Sequence, residues 1–202
     1  MPPQPQAPKS SNPFAPANPV LRVLLFLLLL VPAALTIAEH TDMPLLGYPH
    51  DDGLYWVTAK SIHDGTGYRI ASLPEQPYQT KYPPGLPYYM SLAWAVNPEF
   101  PANLKAASWL QFLWLPLALG FAIWHWGDWS LRGWRQWALG AWMATNAFVH
   151  FFASTVMTEL PFTALVLVSL WMLRRSDGGD SSRALRWVAA AGFVGGLVFL
   201  MR

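Results

Sequence analysis

Residues 20–38, VLRVLLFLLLLVPAALTIA, decide the fold. Apart from Arg22 near its start, the stretch is uncharged. A helix that crosses a bilayer needs about 20 mostly apolar residues. The apolar core of a secretory signal is shorter, about 7–15 residues. The small residues in Ala34-Leu35-Thr36-Ile37-Ala38 are therefore read as the end of an uncleaved spanning helix rather than a cleavage site. Four more apolar stretches follow, at about 102–126, 134–152, 160–173 and 184–201. The fourth is short for a full span, which predicts that neighbouring helices bury its start. The pattern predicts an all-α, polytopic transmembrane bundle of about five spans.

Composition agrees. The chain is 53% hydrophobic and 12% charged, against about a quarter charged in soluble domains. Twelve Trp and 11 Phe suit rings anchored at headgroup level. A net charge of +2, without a Lys/Arg cluster, gives nucleic acid no footprint. With no Cys, disulfides, thiolate metal sites and thiol nucleophiles are excluded. Residues 1–19, rich in Pro, Gln, Ala, Ser and Asn, read as a disordered cytoplasmic tail.

Basic residues orient the spans. Lys9, Arg22, Arg132, Arg135, Arg174, Arg175, Arg183 and Arg186 fall on one side, read as cytoplasmic. The other side receives Glu39, Asp42, Asp51, Asp52, Asp64, Glu75, Glu99 and Glu159, against Lys60, Arg69, Lys81, Lys105 and Arg202. The expectation is a multi-pass protein of the cell (inner) membrane with its N-terminus in the cytoplasm. The external segment at about 39–101 is too long for a simple connector. Tyr55, Ala59 and Ile62 share one helical face, so 51–63 is predicted helical, ended by Gly65 and Gly67. Leu86 to Val96 reads as a second short helix, entered through Tyr82-Pro83-Pro84-Gly85. Its Tyr88, Tyr89 and Trp94 suit the membrane interface.

Several polar residues in this region are candidates for chemistry. Asp51 and Asp52 are either a solvated pair at a helix start or a general base, or cation ligand, facing a lipid-linked substrate. Adjacent helical side chains point about 100° apart, so one would act and the other cap or support it. Glu159, in Thr155-Val156-Met157-Thr158-Glu159-Leu160-Pro161, is either a cap on the fourth helix or a functional acid near membrane depth. Lys81 is either a point charge for a phosphate or an ordinary snorkelling lysine, with Arg69 as an alternative. His40, His50 and His63 share the external side with Asp42, Asp51 and Asp52, but no ligand spacing such as HExxH is present. Ser154 and Thr155 lack the Gly-x-Ser-x-Gly setting of a serine hydrolase.

The order of these features resembles the N-terminal part of the C-type integral membrane glycosyltransferases. It runs from a spanning helix to Asp51-Asp52-Gly53-Leu54-Tyr55, then Lys81-Tyr82-Pro83-Pro84-Gly85-Leu86-Pro87, and finally Thr158-Glu159-Leu160-Pro161. The dolichyl-phosphate-mannose protein mannosyltransferases and aminoarabinose transferases are the most similar group. The resemblance covers essentially everything after the tail, residues 20–202. It implies a polyprenyl-phosphate sugar as donor and a glycan, lipid or protein acceptor, handled beside the bilayer. It assigns the base role to Asp51, with Asp52 as the second acid of the motif and Tyr55 as its aromatic. Lys81 and Tyr82 stand where a Lys or Tyr before a Pro-Pro pair lies near the lipid phosphate, and Arg69 could aid them. Glu159 corresponds to the second catalytic acid. No cofactor is implied for certain, although some relatives use a divalent cation. Relatives carry more helices and often a periplasmic domain, so the chain is expected to be an incomplete module. The alternative is a non-catalytic membrane subunit or scaffold whose acids merely cap helices. A transporter fits less well, because the acids gather at one face rather than the midplane.

Overall fold

The structure, a computed structural model, describes residues 19–129, 133–177 and 180–202. Residues 1–18 of the expected tail, with Lys9, and also Arg132 lie outside the described residues; Pro19 is already helical. The described residues fold as α-helices, with a single isolated β-bridge between Arg69 and Tyr78. The apolar opening stretch forms α1 (Pro19–Glu39). Two helices, α2 (Asp51–His63) and α3 (Gly85–Val96), lie in the long loop. Then come α4 (Leu104–Phe112), α5 (Trp114–Trp129), α6 (Trp134–Ala144), α7 (Ala147–Ser154), α8 (Glu159–Ser176) and α9 (Ser181–Met201).

Among the described residues, three helical runs are long and apolar enough to cross a membrane: α1, Leu104–His125 through α4 and α5, and α9. A fourth candidate is α7 with α8, which meet at a bend of 104°, as in a broken span or re-entrant loop. Length and composition thus account for three of the expected spans, or up to four. The predicted third helix breaks at Thr145–Asn146, where the Asn146 side chain accepts from Phe148 N and starts α7 anew. The pieces, 11 and 8 residues long, each fall short of the length a span needs.

The apolar residues divide into a loop core and a bundle core. In the loop core, Trp56 of α2 packs on Trp94 of α3 with ring centroids 4.9 Å apart. Leu86, Met90 and Ala93 complete the contact, and Leu104, Ala107 and Val156 tie it to the bundle. In the bundle core, small residues carry the packing: Ala33, Ala118, Ala153 and Ala164 are buried among Ile37, Leu115 and Leu160. Small side chains let helices approach closely where lipid supplies no hydrophobic drive. Gly140 shows the same economy, since a Cβ there would lie 2.8 Å from Ile123 Cδ1 and 3.1 Å from Leu29 Cδ1. The outer faces of α1 and α9 expose Val23, Leu24, Leu28, Phe193 and Phe199, as lipid-facing helices do.

Two contacts fix the loop helices and the bend against the bundle. The fully buried Gln111 of α4 donates from Nε2 to Phe152 O (3.1 Å) and Met157 O (2.7 Å), on either side of the point where α7 gives way to α8. Gly85, the first residue of α3, meets the end of α9 so closely that a Cβ would lie 2.5 Å from Leu200 O. The end of α9, the start of α8 and the loop helices thus gather at one end of the bundle. At the other end, Arg174 of α8 donates to His125 O of α5 at 3.3 Å.

Candidate functional site

Asp51 and Asp52 begin α2, after a tight approach in which Gly47 has φ 90° and His50 φ 64°. That conformation suits glycine and is strained for histidine. Asp52 turns inward. It is 0% exposed, and its carboxylate accepts from Gly47 N (3.0 Å) and Gly53 N (2.7 Å). A buried carboxylate needs such donors; here they stitch the approach loop to the helix start.

Asp51, one residue earlier, faces outward with its side chain 39% exposed. Its Oδ1 accepts the hydroxyl of Tyr82, and Lys81 Nζ stands 3.8 Å from the same oxygen. Lys81 and Tyr82 thus reach Asp51 together from the segment before the Pro83-Pro84 pair. The Lys81 ammonium also lies over the Tyr82 ring, 4.6 Å from its centroid. The Tyr82 hydrogen bond holds the Lys81 pKa above its ordinary value, and the Asp51 charge adds to this. Burial raises the Tyr82 phenol, and its hydrogen bond to Asp51 raises it further.

Tyr55 lies one turn beyond Asp51, buried, with its ring centroid 5.0 Å from that of Tyr82. Burial pushes its phenol well up, and the charges of Asp51 and Glu159 add to this; a hydrogen bond from Thr158 works the other way. Tyr55 thus feels the charge of both acids. Glu159 opens α8, is exposed, and makes no hydrogen bond or ion pair among the described residues. Beside it, the Arg202 guanidinium lies 4.9 Å from the Phe162 ring centroid.

Arg69 is placed elsewhere. It stacks over Tyr78 at 3.9 Å and donates to Gln76 O at 3.0 Å, holding a short hairpin closed. Its neighbour Tyr68 has the closer tie to the site, since its hydroxyl donates to Tyr82 O at 2.7 Å. Burial pushes the Tyr68 pKa up to about 12. Sequence reasoning missed Tyr68, Thr158 and Gln111, because a lone hydroxyl or amide without a spacing motif carries no signal. Among the described residues, no three His, Asp or Glu side chains gather as a metal-binding set. His40 instead meets Thr36 O, at 3.0 Å from Nδ1.

Two clefts lie apart from Asp51. One, of about 320 Å³, is walled by Thr36, His40, Met43, His150 and Thr155. The other, of about 460 Å³, lies beside His125, Leu170 and Arg174. Neither is lined by Asp51, Lys81 or Tyr82. No protein-family model, curated protein or solved structure matches this chain.

Proposed function

We propose that the chain works as a membrane glycosyltransferase, which moves a sugar from a polyprenyl-phosphate donor to an acceptor hydroxyl on the external, periplasmic side. One observation carries the reading: an outward-facing carboxylate, Asp51, has a cation and a phenol, Lys81 and Tyr82, converging on one of its oxygens. In this reaction Asp51 takes the proton of the acceptor hydroxyl as the acceptor oxygen bonds to the anomeric carbon. The bond from that carbon to the phosphate oxygen breaks, and its electron pair leaves with the polyprenyl phosphate. A single displacement inverts the anomeric centre. Lys81 offsets the charge growing on the leaving phosphate, the buried Tyr55 backs the site behind Tyr82, and Glu159 supports the acceptor side or a divalent cation.

The reading includes a topology. The cytoplasmic N-terminus follows from the basic residues on one side, in the cell (inner) membrane. Five passes need α6 and α7 to act together as an interrupted third span and α8 as a fourth. Contacts support this: α6 packs against the middle of α1 through Gly140 and Leu29, and α7 against its far end through His150 and Thr36.

The alternative is a non-catalytic membrane subunit, in which Asp51 and Glu159 do no more than begin their helices. A single comparison separates the two. The full-length protein, purified from membranes, is offered polyprenyl-phosphate sugars, and Asp51→Asn is tested beside it. Loss of a general base predicts a fall in transfer of about 10²–10⁴-fold. Transfer that survives Asp51→Asn unchanged sinks the base assignment.

A further inference from the structure

We infer that Tyr82 is a positioning residue: its hydroxyl anchors Oδ1 of Asp51 so that Oδ2 is presented to the acceptor. The inference rests on the glycosyl-transfer reading and assigns the two partners of Asp51 different tasks. Both reach Oδ1, while Oδ2 has no partner among the described residues. A base with one oxygen tied and the other open is held in one orientation, which is what proton abstraction requires.

Tyr82 is built to stay in place. Its ring stacks on the buried Tyr55 at 5.0 Å, its carbonyl is held by the Tyr68 hydroxyl at 2.7 Å, and Pro83 and Pro84 stiffen the chain after it. Lys81 is built to leave. Its side chain is 69% exposed and 3.8 Å from Asp51, on a flexible stem. A phosphate entering the site draws first on the exposed, mobile ammonium, whereas the phenol is kept on Asp51 by the packing of its ring and the tie on its carbonyl. Being neutral, the phenol also orients the carboxylate without cancelling the charge that makes it a base. The charged and titratable groups facing Asp51 are Lys81 and Tyr82 from the loop and Tyr55 from α2, with Glu159 beyond Tyr55. The adjacent Asp52 is turned into the protein.

Tyr82→Phe keeps the ring and removes only the hydroxyl. In the full-length protein it should lower kcat about tenfold or more, with the donor KM changed less than about twofold. An unchanged kcat would overturn the proposal, as would a rise confined to the donor KM, which marks a substrate contact.

A second measurement does not depend on transfer. Asp51 is coupled to an amine with a water-soluble carbodiimide at one fixed pH, and the modification is read by mass spectrometry in wild type and Tyr82→Phe. Coupling should be faster in the variant, because Oδ1 is no longer tied to the phenol. If it is faster in a protein that transfers no sugar, the anchor stands and the reaction is wrong. If the rates are equal, the anchor is wrong whatever the activity.

Discussion

At the scale of residues, the two neighbouring aspartates differ by the roughly 100° through which one helical residue turns them. Asp52 satisfies two buried main-chain donors, and Asp51 faces solvent with two side-chain partners. Asp52→Ala leaves Gly47 N and Gly53 N without their acceptor and should cost about 1–3 kcal/mol. Asp51→Ala should cost less, because its ion pair is exposed and wide and its other partner is a single side-chain hydroxyl. Thermal unfolding in detergent compares the two, and equal losses would refute the division of labour. Tyr68 supplies a pH dependence. Its folded pKa is raised, so its contribution is fully present below the unfolded tyrosine value of about 10. Stability is lost as pH rises from there towards about 12, because the unfolded chain gives up the proton first. Tyr68→Phe should flatten that part of the stability profile, measured against wild type between those values.

At the scale of elements, the bend between α7 and α8 depends on one amide. Gln111 reaches carbonyls on both sides of it, at Phe152 and Met157. Gln111→Leu keeps much of the bulk but leaves both carbonyls without that donor. It should destabilise the protein by about 1–3 kcal/mol and expose the 155–158 segment to proteolysis. Resistance equal to wild type would show that other contacts hold the bend. The helices themselves were largely legible: α1, α9 and both loop helices follow from apolar runs, the Asp51–His63 periodicity and the Pro-Pro-Gly entry. The break at Thr145–Asn146 was not, because Asn and Thr inside an apolar run read equally well as a polar spot on a continuous helix. It took Asn146 turning its side chain onto Phe148 N to decide. At the site, the pairing of Lys81 with Asp51 is a matter of tertiary approach that no local pattern records. Arg69, the weaker alternative to Lys81 in sequence, is held in the hairpin by Tyr78 and Gln76.

At the scale of the whole molecule, the proposed orientation can be read with thiols, since the chain has no Cys. Ser72→Cys, exposed in the loop, and Ser181→Cys, exposed at the start of α9, introduce one label site each. A membrane-impermeant maleimide should modify Ser72→Cys from outside intact spheroplasts, and Ser181→Cys only after lysis. Labelling of both from the same side would exclude an odd number of passes between them. The gathering of acids at one end was foreseeable from charge alone, because basic and acidic residues alternate by side along the chain. Which helices meet there was not, since packing in lipid is set by small residues and close backbone approaches rather than by hydrophobic pattern.

The closest of those approaches, Gly85 against Leu200, also orders the events of biosynthesis. The start of α3 emerges from the ribosome long before the end of α9 exists, yet the groove that receives Gly85 is made by that end. The segment carrying Lys81 and Tyr82 therefore reaches its final seat only after α9 has been made and has docked. The meeting of Lys81 and Tyr82 with Asp51 then waits on α9, and a slow-inserting α9 would delay it without altering a single residue at that meeting point.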